Sequence, residues 1–131
     1  MKSTLFVLTN FILMASVGWG QSTPSNLTVQ TFSDKLRQTP FKTVLDVRTA
    51  PEVVDGMLPG AINIDFFTPD FTSQLGRLDK TRPVFVYCAV GGRSGKAARQ
   101  LQQAGFKTVY NLAGGMQAWQ QAGYVTVKKK P

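Results

Sequence analysis

Cys88 stands where a strand-like run ends and a glycine-bearing turn begins. Val84 to Tyr87 is apolar and rich in β-branched and aromatic residues. After Cys88 come Ala89, Val90, Gly91, Gly92, Arg93 and Ser94, which lead into a helix-like segment. The glycines let the backbone turn tightly with its amides pointing inward, and Ser94 is placed as the N-cap of the helix that follows. Cys88 is thereby expected in a cup of amide donors, near the positive end of that helix and the Arg93 guanidinium. These groups favour the thiolate, which is the nucleophilic form. An unperturbed thiol is only about 3% ionised at pH 7, and a drop of roughly two pKa units would make it mostly thiolate. A cysteine serving only as a small buried hydrophobe would need neither the two glycines nor Arg93 downstream.

Cys88 is the one cysteine of the chain, and the chain contains no histidine. Zinc sites and Cys-His or Ser-His-Asp triads are thereby excluded, and no metal or cofactor is expected. Whatever activates Cys88 must be backbone, helix dipole or cation. A thiol that cannot pair within its own chain is left to dimerise, oxidise or work.

The elements that would position this loop follow from the apolar pattern. Thr31 and Asp34 give a capping-box-like start to a helix that ends before Pro40. Val44 to Val47 reads as a short strand with Asp46 and Arg48 at its C-terminal end, followed by a turn at Ala50, Pro51 and Glu52. A second turn at Gly56 to Gly60 precedes a strand from Ala61 to Ile64. Phe66 to Leu78 reads as a loop with one short helix, because Phe71, Leu75 and Leu78 fall at helical spacing. Pro83 opens the strand that ends at Cys88. Ser94 to Ala104 reads as a helix with Ala97, Ala98 and Leu101 on one face, stopped by Gly105. Val109 to Leu112 is a further strand, and Met116 and Trp119 belong to a last helix closed by Gly123. Strands alternating with helices predict an α/β domain, a mostly parallel central sheet with helices on both faces. Reactive groups in such sheets gather at the C-terminal strand ends, where Asp46, Arg48 and Cys88 fall.

Domain organisation follows from length and composition. The chain has 131 residues and a formal charge of +8. Residues 1–20 carry one charge, Lys2, and a mostly apolar stretch from Leu5 to Val17, the pattern of a secretory signal peptide with cleavage before Gln21. The stretch is shorter than the roughly 20 residues that span a bilayer, so no stable membrane insertion is expected after processing. Removing those residues leaves 111 and lowers the charge by Lys2 alone, to +7. One domain is expected at that length. Residues 21–26 read as an exposed lead-in, 27–127 as the folded domain, and 128–131 as a solvated basic tail. The other basic residues are scattered without interleaved aromatics, so nucleic acid is not an expected partner.

Four segments together resemble a known family. They are Leu45, Asp46, Val47 and Arg48; Gly56 with Pro59, Gly60, Ala61, Ile62 and Asn63; the loop Cys88 to Arg93 with Ser94; and Gly114, Gly115 and Met116 with Trp119 and Gly123. In order and spacing they resemble a single-domain rhodanese, a sulfurtransferase module, similar to the exported phage shock protein E group. The resemblance implies a single rhodanese-like domain. It also implies that Cys88 takes sulfane sulfur from a small donor such as thiosulfate, becomes a persulfide, and passes the outer sulfur to a thiophilic acceptor such as cyanide, a thiol or a protein. Amides of Ala89, Val90, Gly91, Gly92, Arg93 and Ser94 would stabilise the charged persulfide, Arg93 acting directly or by fixing the loop. In this family Asp46 and Arg48 resemble the pair that braces the active-site loop against the sheet. Glu52 falls where an acid is often placed, and Trp119 reads as core.

Three departures from the family pattern matter. Met57 replaces a histidine, and Val53 replaces an aromatic residue. Ala89 and Val90 are apolar where relatives often carry a cation or polar group, which suits a neutral or hydrophobic persulfide donor better than thiosulfate. The six-residue span from Cys88 to Arg93 favours sulfur transfer over the related phosphatases, whose loop is one residue longer, and over an arsenate reductase. A noncatalytic carrier of sulfane sulfur, or a module binding a periplasmic partner, is the alternative that shares all of these residues. The leader implies an exported protein, in a bacterial periplasm.

Overall fold

A computed structural model describes residues 23–129 of the chain. The expected signal peptide at 1–20 and the end of the basic tail lie outside the described residues. Strands β1 (Ser25–Leu27), β2 (Thr43–Asp46), β3 (Ala61–Asn63), β4 (Val84–Tyr87) and β5 (Val109–Leu112) form one sheet in the order β1-β5-β4-β2-β3. Every neighbouring pair is parallel. Helices α1 (Val29–Gln38), α2 (Ala50–Val53), α3 (Phe71–Leu75), α4 (Gly92–Gln103) and α5 (Gly115–Gln121) connect and cover the strands. This is the expected α/β architecture.

The period-2 alternation of β4 decides what surrounds Cys88. Val84 and Val86 point into one apolar layer with Ala97, Ala98 and Leu101 of α4, and Cys88 continues that side. Phe85 and Tyr87 point into the other, with Phe32 of α1 and Met116 and Trp119 of α5. All four β4 residues are buried, as a central parallel strand covered on both faces requires. Trp119 is core, with its Nε1 donating to Val125 O at 2.9 Å.

The elements depart from the sequence reading at several helix and strand starts, β2 by a single residue, running Thr43–Asp46 where Val44 to Val47 was expected. The edge strand β1 takes in Ser25 and Asn26, read as lead-in, because Leu27 is half-buried and the strand pairs with β5. Helix α1 begins one turn before Thr31, with Thr28 as N-cap accepting from Thr31 N at 3.4 Å, and this brings Val29 onto the core beside Phe32 and Leu36. The expected turn at 50–52 is the short helix α2. Thr49 N and Oγ1 both donate to Glu52 Oε1, at 3.1 and 2.9 Å, and Pro51 sits in its first turn. Helix α4 begins at Gly92, not Ser94. Gly91 is its N-cap at φ 107°, a left-handed conformation that a side chain would strain. Met57, buried in the histidine position, pairs antiparallel with Val127 through two 2.8 Å bonds, so the segment at Val127 lies over the turn before β3.

Candidate active site

Cys88 is 1% exposed, and its sulfur is the centre of the loop that joins β4 to α4. Gly91 N donates to Sγ at 3.1 Å and Ser94 Oγ stands 3.3 Å from it. The Ser94 hydroxyl also lies 3.3 Å from Gly91 O. Its single proton serves one acceptor at a time, and an ionised sulfur is the stronger one. Burial alone would push the thiol pKa up. The Ser94 hydroxyl and the Ser94, Gly91 and Val90 amides outweigh it and hold the pKa below the ordinary value. Ser94 is thus not an N-cap. It lies in the first turn of α4, fully buried, and its hydroxyl serves the sulfur.

The amides point inward because helix α5 holds the carbonyls outward. Met116 N donates to Cys88 O at 2.9 Å and Gln117 N to Ala89 O at 3.1 Å. In a trans peptide the N–H points opposite to the carbonyl, so fixing these two oxygens turns the Ala89 and Val90 amides toward the sulfur side. Close approach is possible only with glycine. A Cβ on Gly115, at φ +54°, would lie 2.5 Å from Cys88 O and 2.7 Å from the Ala89 carbonyl carbon. Gly114 and Gly115 carried part of the family resemblance, but no role for them was visible in the sequence.

A charged network buttresses the other flank. Asp46 is fully buried, and Arg48 bonds it through Nε and Nη2, the latter at 2.7 Å. Arg48 also donates to Glu52 O and Gly56 O, at 3.0 and 2.7 Å. Tyr87, the cross-strand neighbour of Asp46, donates its hydroxyl to Asp46 Oδ2 at 2.5 Å and accepts from Leu58 N at 3.0 Å. Burial and the Asp46 charge push the Tyr87 pKa up, so this phenol stays protonated as donor. Asn63 Nδ2 ties the same segment to β3 through Asp46 O and Arg48 O. The Asp46–Arg48 pair therefore braces residues 48–58 against the sheet and does not itself bond the Cys88 loop. Its link to that loop runs through Tyr87, next to Cys88, and through Glu52.

Glu52 joins the two parts. Its carboxylate receives Arg93 Nη1 and Nη2 at 2.7 and 2.8 Å, a bidentate pair. The Arg93 bond, opposed by partial burial and aided by Thr49, lowers the Glu52 pKa to about 2. Arg93, expected to face the sulfur or to fix the loop, does the second. Its charge is held by Glu52, with Cys88 a smaller influence on it. The Thr49-x-x-Glu52 spacing was a capping-box signal that could have placed this carboxylate. Phe67 was not anticipated at all: its ring lies 5.6 Å from the Arg93 guanidinium carbon and is 66% exposed. Of the remaining loop residues, Val90 is 63% exposed, Gly92 is exposed, and Ala89 and Gly91 are half-buried. Among the described residues, no cluster of Cys, Asp and Glu is placed to hold a metal ion, and no helix is long and apolar enough to cross a membrane.

Known proteins share both sequence and fold with this chain. The family model for the Rhodanese-like domain matches residues 28–122. A protein named sulfurtransferase from Allochromatium vinosum is 33% identical over 94 residues, covering 72% of this chain and 86% of its own. A thiosulfate sulfurtransferase, GlpE, from Shewanella oneidensis is 34% identical over 79 residues, 60% of this chain and 76% of that protein. The crystal structure of a rhodanese-related protein from Thermoplasma volcanium superposes with a TM-score of 0.70 at 28% identity, covering 80% of this chain and 99% of that one.

Proposed function

The chain belongs to the rhodanese-like family of sulfurtransferases, and we propose that it moves sulfane sulfur through a persulfide on Cys88. The observation that carries this reading is the donor set on one buried sulfur: Gly91 N, Ser94 Oγ and the inward-facing amides that α5 orients. With thiosulfate as donor, the Cys88 thiolate attacks the outer sulfur. The S–S bond breaks with its electron pair leaving on sulfite, and Cys88 becomes a persulfide anion. Cyanide or a thiolate then attacks the outer sulfur, and the electron pair returns to Cys88. The terminal charge of the persulfide falls among the same amides, which are arranged before either step.

The rim supports a donor of lower charge than thiosulfate. Glu52 neutralises Arg93, the loop has no other cation, and Val90 and Phe67 expose apolar surface beside it. An organic persulfide fits that surface better than a dianion. Small sulfur donors and thiophilic acceptors, a protein thiol among them, are the partners of this proposal. Residues 1–20 support an exported, periplasmic setting. Turnover separates enzyme from carrier. The protein is expected to form thiocyanate from thiosulfate and cyanide, and Cys88→Ser is expected to form none. Equal rates in the two would sink the proposal.

A further inference from the structure

At the end of the sheet opposite Cys88, the parallel register gathers charges that the sequence scatters. Thr43, Val84 and Val109 are aligned across β2, β4 and β5. Thr43 N donates to Pro83 O at 2.9 Å and Val84 N to Thr108 O at 3.0 Å, which carries the alignment one residue further out. Next outward come Phe41, Arg82 and Lys107, one ahead of each central strand. Neighbouring strands lie about 4.8 Å apart, so these three stand side by side. A Cβ on Gly105 would meet Lys80 Cδ at 3.8 Å, which places the Lys80 stem over the turn that leads to Lys107. A hollow of about 410 Å³ is lined by Lys80, Arg82 and Lys107.

Charge and exposure single out this pole. Lys42, Lys80, Arg82 and Lys107 stand against one carboxylate of the same turns, Asp79, which reaches Arg82 Nε at 3.4 Å. Four cations and one carboxylate leave a net charge of +3. Phe41 is 74% exposed, the most exposed large apolar side chain among the described residues. An exposed apolar residue by itself is ordinary; its place within this set of cations is not.

We propose that this pole docks reversibly on an anionic lipid bilayer. A lipid phosphate enters the hollow between Lys80, Arg82 and Lys107, and the Phe41 ring enters the boundary between headgroups and acyl chains. Cations that meet phosphates beside an aromatic ring that reaches below them make an interfacial contact, and the two parts reinforce each other. An acidic protein would satisfy the cations but would offer Phe41 no apolar layer. Residues 1–20, with their leader pattern, would bring the domain to a membrane surface. Docking at this pole leaves the reactive end free. Cys88 follows Arg82 by six residues along β4, roughly 20 Å at about 3.3 Å per residue. At that end the charges cancel in pairs, Asp46 with Arg48 and Glu52 with Arg93, and Asp65 and Asp70 add carboxylates after β3. The basic tail also leaves from that end, since Val127 pairs with Met57 beside Leu58, whose N–H meets the Tyr87 hydroxyl.

Vesicle binding tests the proposal. The chain from Gln21 to Pro131 keeps all five strands and both apolar layers. It is expected to sediment with vesicles of equal parts phosphatidylglycerol and phosphatidylcholine, to be released by salt, and to ignore phosphatidylcholine alone. The triple variant Lys80→Gln, Arg82→Gln, Lys107→Gln is expected to bind about 100-fold more weakly, near fivefold per cation. Phe41→Ser is expected to weaken binding about tenfold. All four substituted residues are exposed, and alkylation of Cys88 at the wild-type rate verifies that the variants are folded. Replacing Lys128, Lys129 and Lys130 by Gln should weaken binding less than the triple variant does, and vesicles should leave Cys88 alkylation unchanged. Failure to bind, or binding that the triple variant retains, would overturn the inference. So would a larger loss from the tail variant, or protection of Cys88 by vesicles, which would put the reactive end against the membrane. Equal binding by Phe41→Ser, with soluble polyglutamate competing as well as vesicles, would assign the pole to an acidic protein and also overturn it.

Discussion

The two flanks of Cys88 are built from different materials. On the α5 side, backbone meets backbone: Met116 and Gln117 amides hold the Cys88 and Ala89 carbonyls, and Gly115 has no side chain to keep them apart. On the β2 side, charged side chains do the positioning, from Asp46 through Arg48 to the segment that carries Glu52, and from Glu52 to Arg93. The first flank aims the amides at the sulfur and is insensitive to pH and salt. The second shapes the mouth and pairs the Arg93 cation with Glu52, and this outer half is partly exposed and so partly screened. Activation of the thiol therefore belongs to the backbone flank and Ser94, while the charged flank governs stability and access.

Breaking the charged flank at its buried end should show the largest effect, and it should appear in stability. Asp46→Asn leaves Arg48 buried without its counter-charge, a loss of about 3 kcal/mol or more, read from the urea midpoint. Breaking the backbone flank should instead appear in chemistry. Gly115→Ala forces the Cys88 or Ala89 peptide to move, and persulfide loading followed by whole-protein mass should slow on the order of 100-fold in protein that remains folded. If Glu52→Gln slowed loading as much, the division between the flanks would be wrong. Ser94→Ala removes one charge-assisted donor, raises the thiol pKa and should lower the alkylation rate at pH 7 while leaving it unchanged at a pH where both proteins are fully ionised.

The smallest effect is expected at the partly exposed pair. Glu52→Gln should cost less than Asp46→Asn at neutral pH, because the Glu52–Arg93 pair is partly exposed and screened whereas Asp46 is buried. Its pH dependence is more telling. The folded-state pKa of Glu52 is lowered, to about 2, so its contribution is fully present above the ordinary carboxylate pKa near 4.5 and is lost as pH falls toward 2. The wild-type protein should lose stability across that window more steeply than Glu52→Gln in acid denaturation.

Much of this site was legible in the sequence because its parts are local. The apolar run of β4, the glycines of the loop and the single cysteine lie within a few residues of one another, and local chemistry places them. What could not be read is long-range. Ser94 resembles an N-cap by residue type, and only the left-handed Gly91, which starts α4 two residues earlier, turns the hydroxyl onto the sulfur. Arg93 resembles a sulfur-facing cation until the β2–α2 connection brings Glu52 to it from 41 residues away. The Gly114–Gly115 pair looks like an ordinary helix start, because its reason is contact with a strand end that precedes it by some 26 residues. Phe67 left no signal, since nothing in the 66–78 segment fixes which side chain reaches Arg93.

The central claim is that the loop's own donors, and not a cation, hold the Cys88 thiolate. Titrating the thiolate absorbance near 240 nm in the wild-type protein, in Ser94→Ala and in Arg93→Gln tests it directly. The account predicts a wild-type midpoint below that of an ordinary cysteine, a clear rise in Ser94→Ala, and a smaller change in Arg93→Gln. A wild-type midpoint at or above the ordinary value, or a larger rise in Arg93→Gln than in Ser94→Ala, would contradict it.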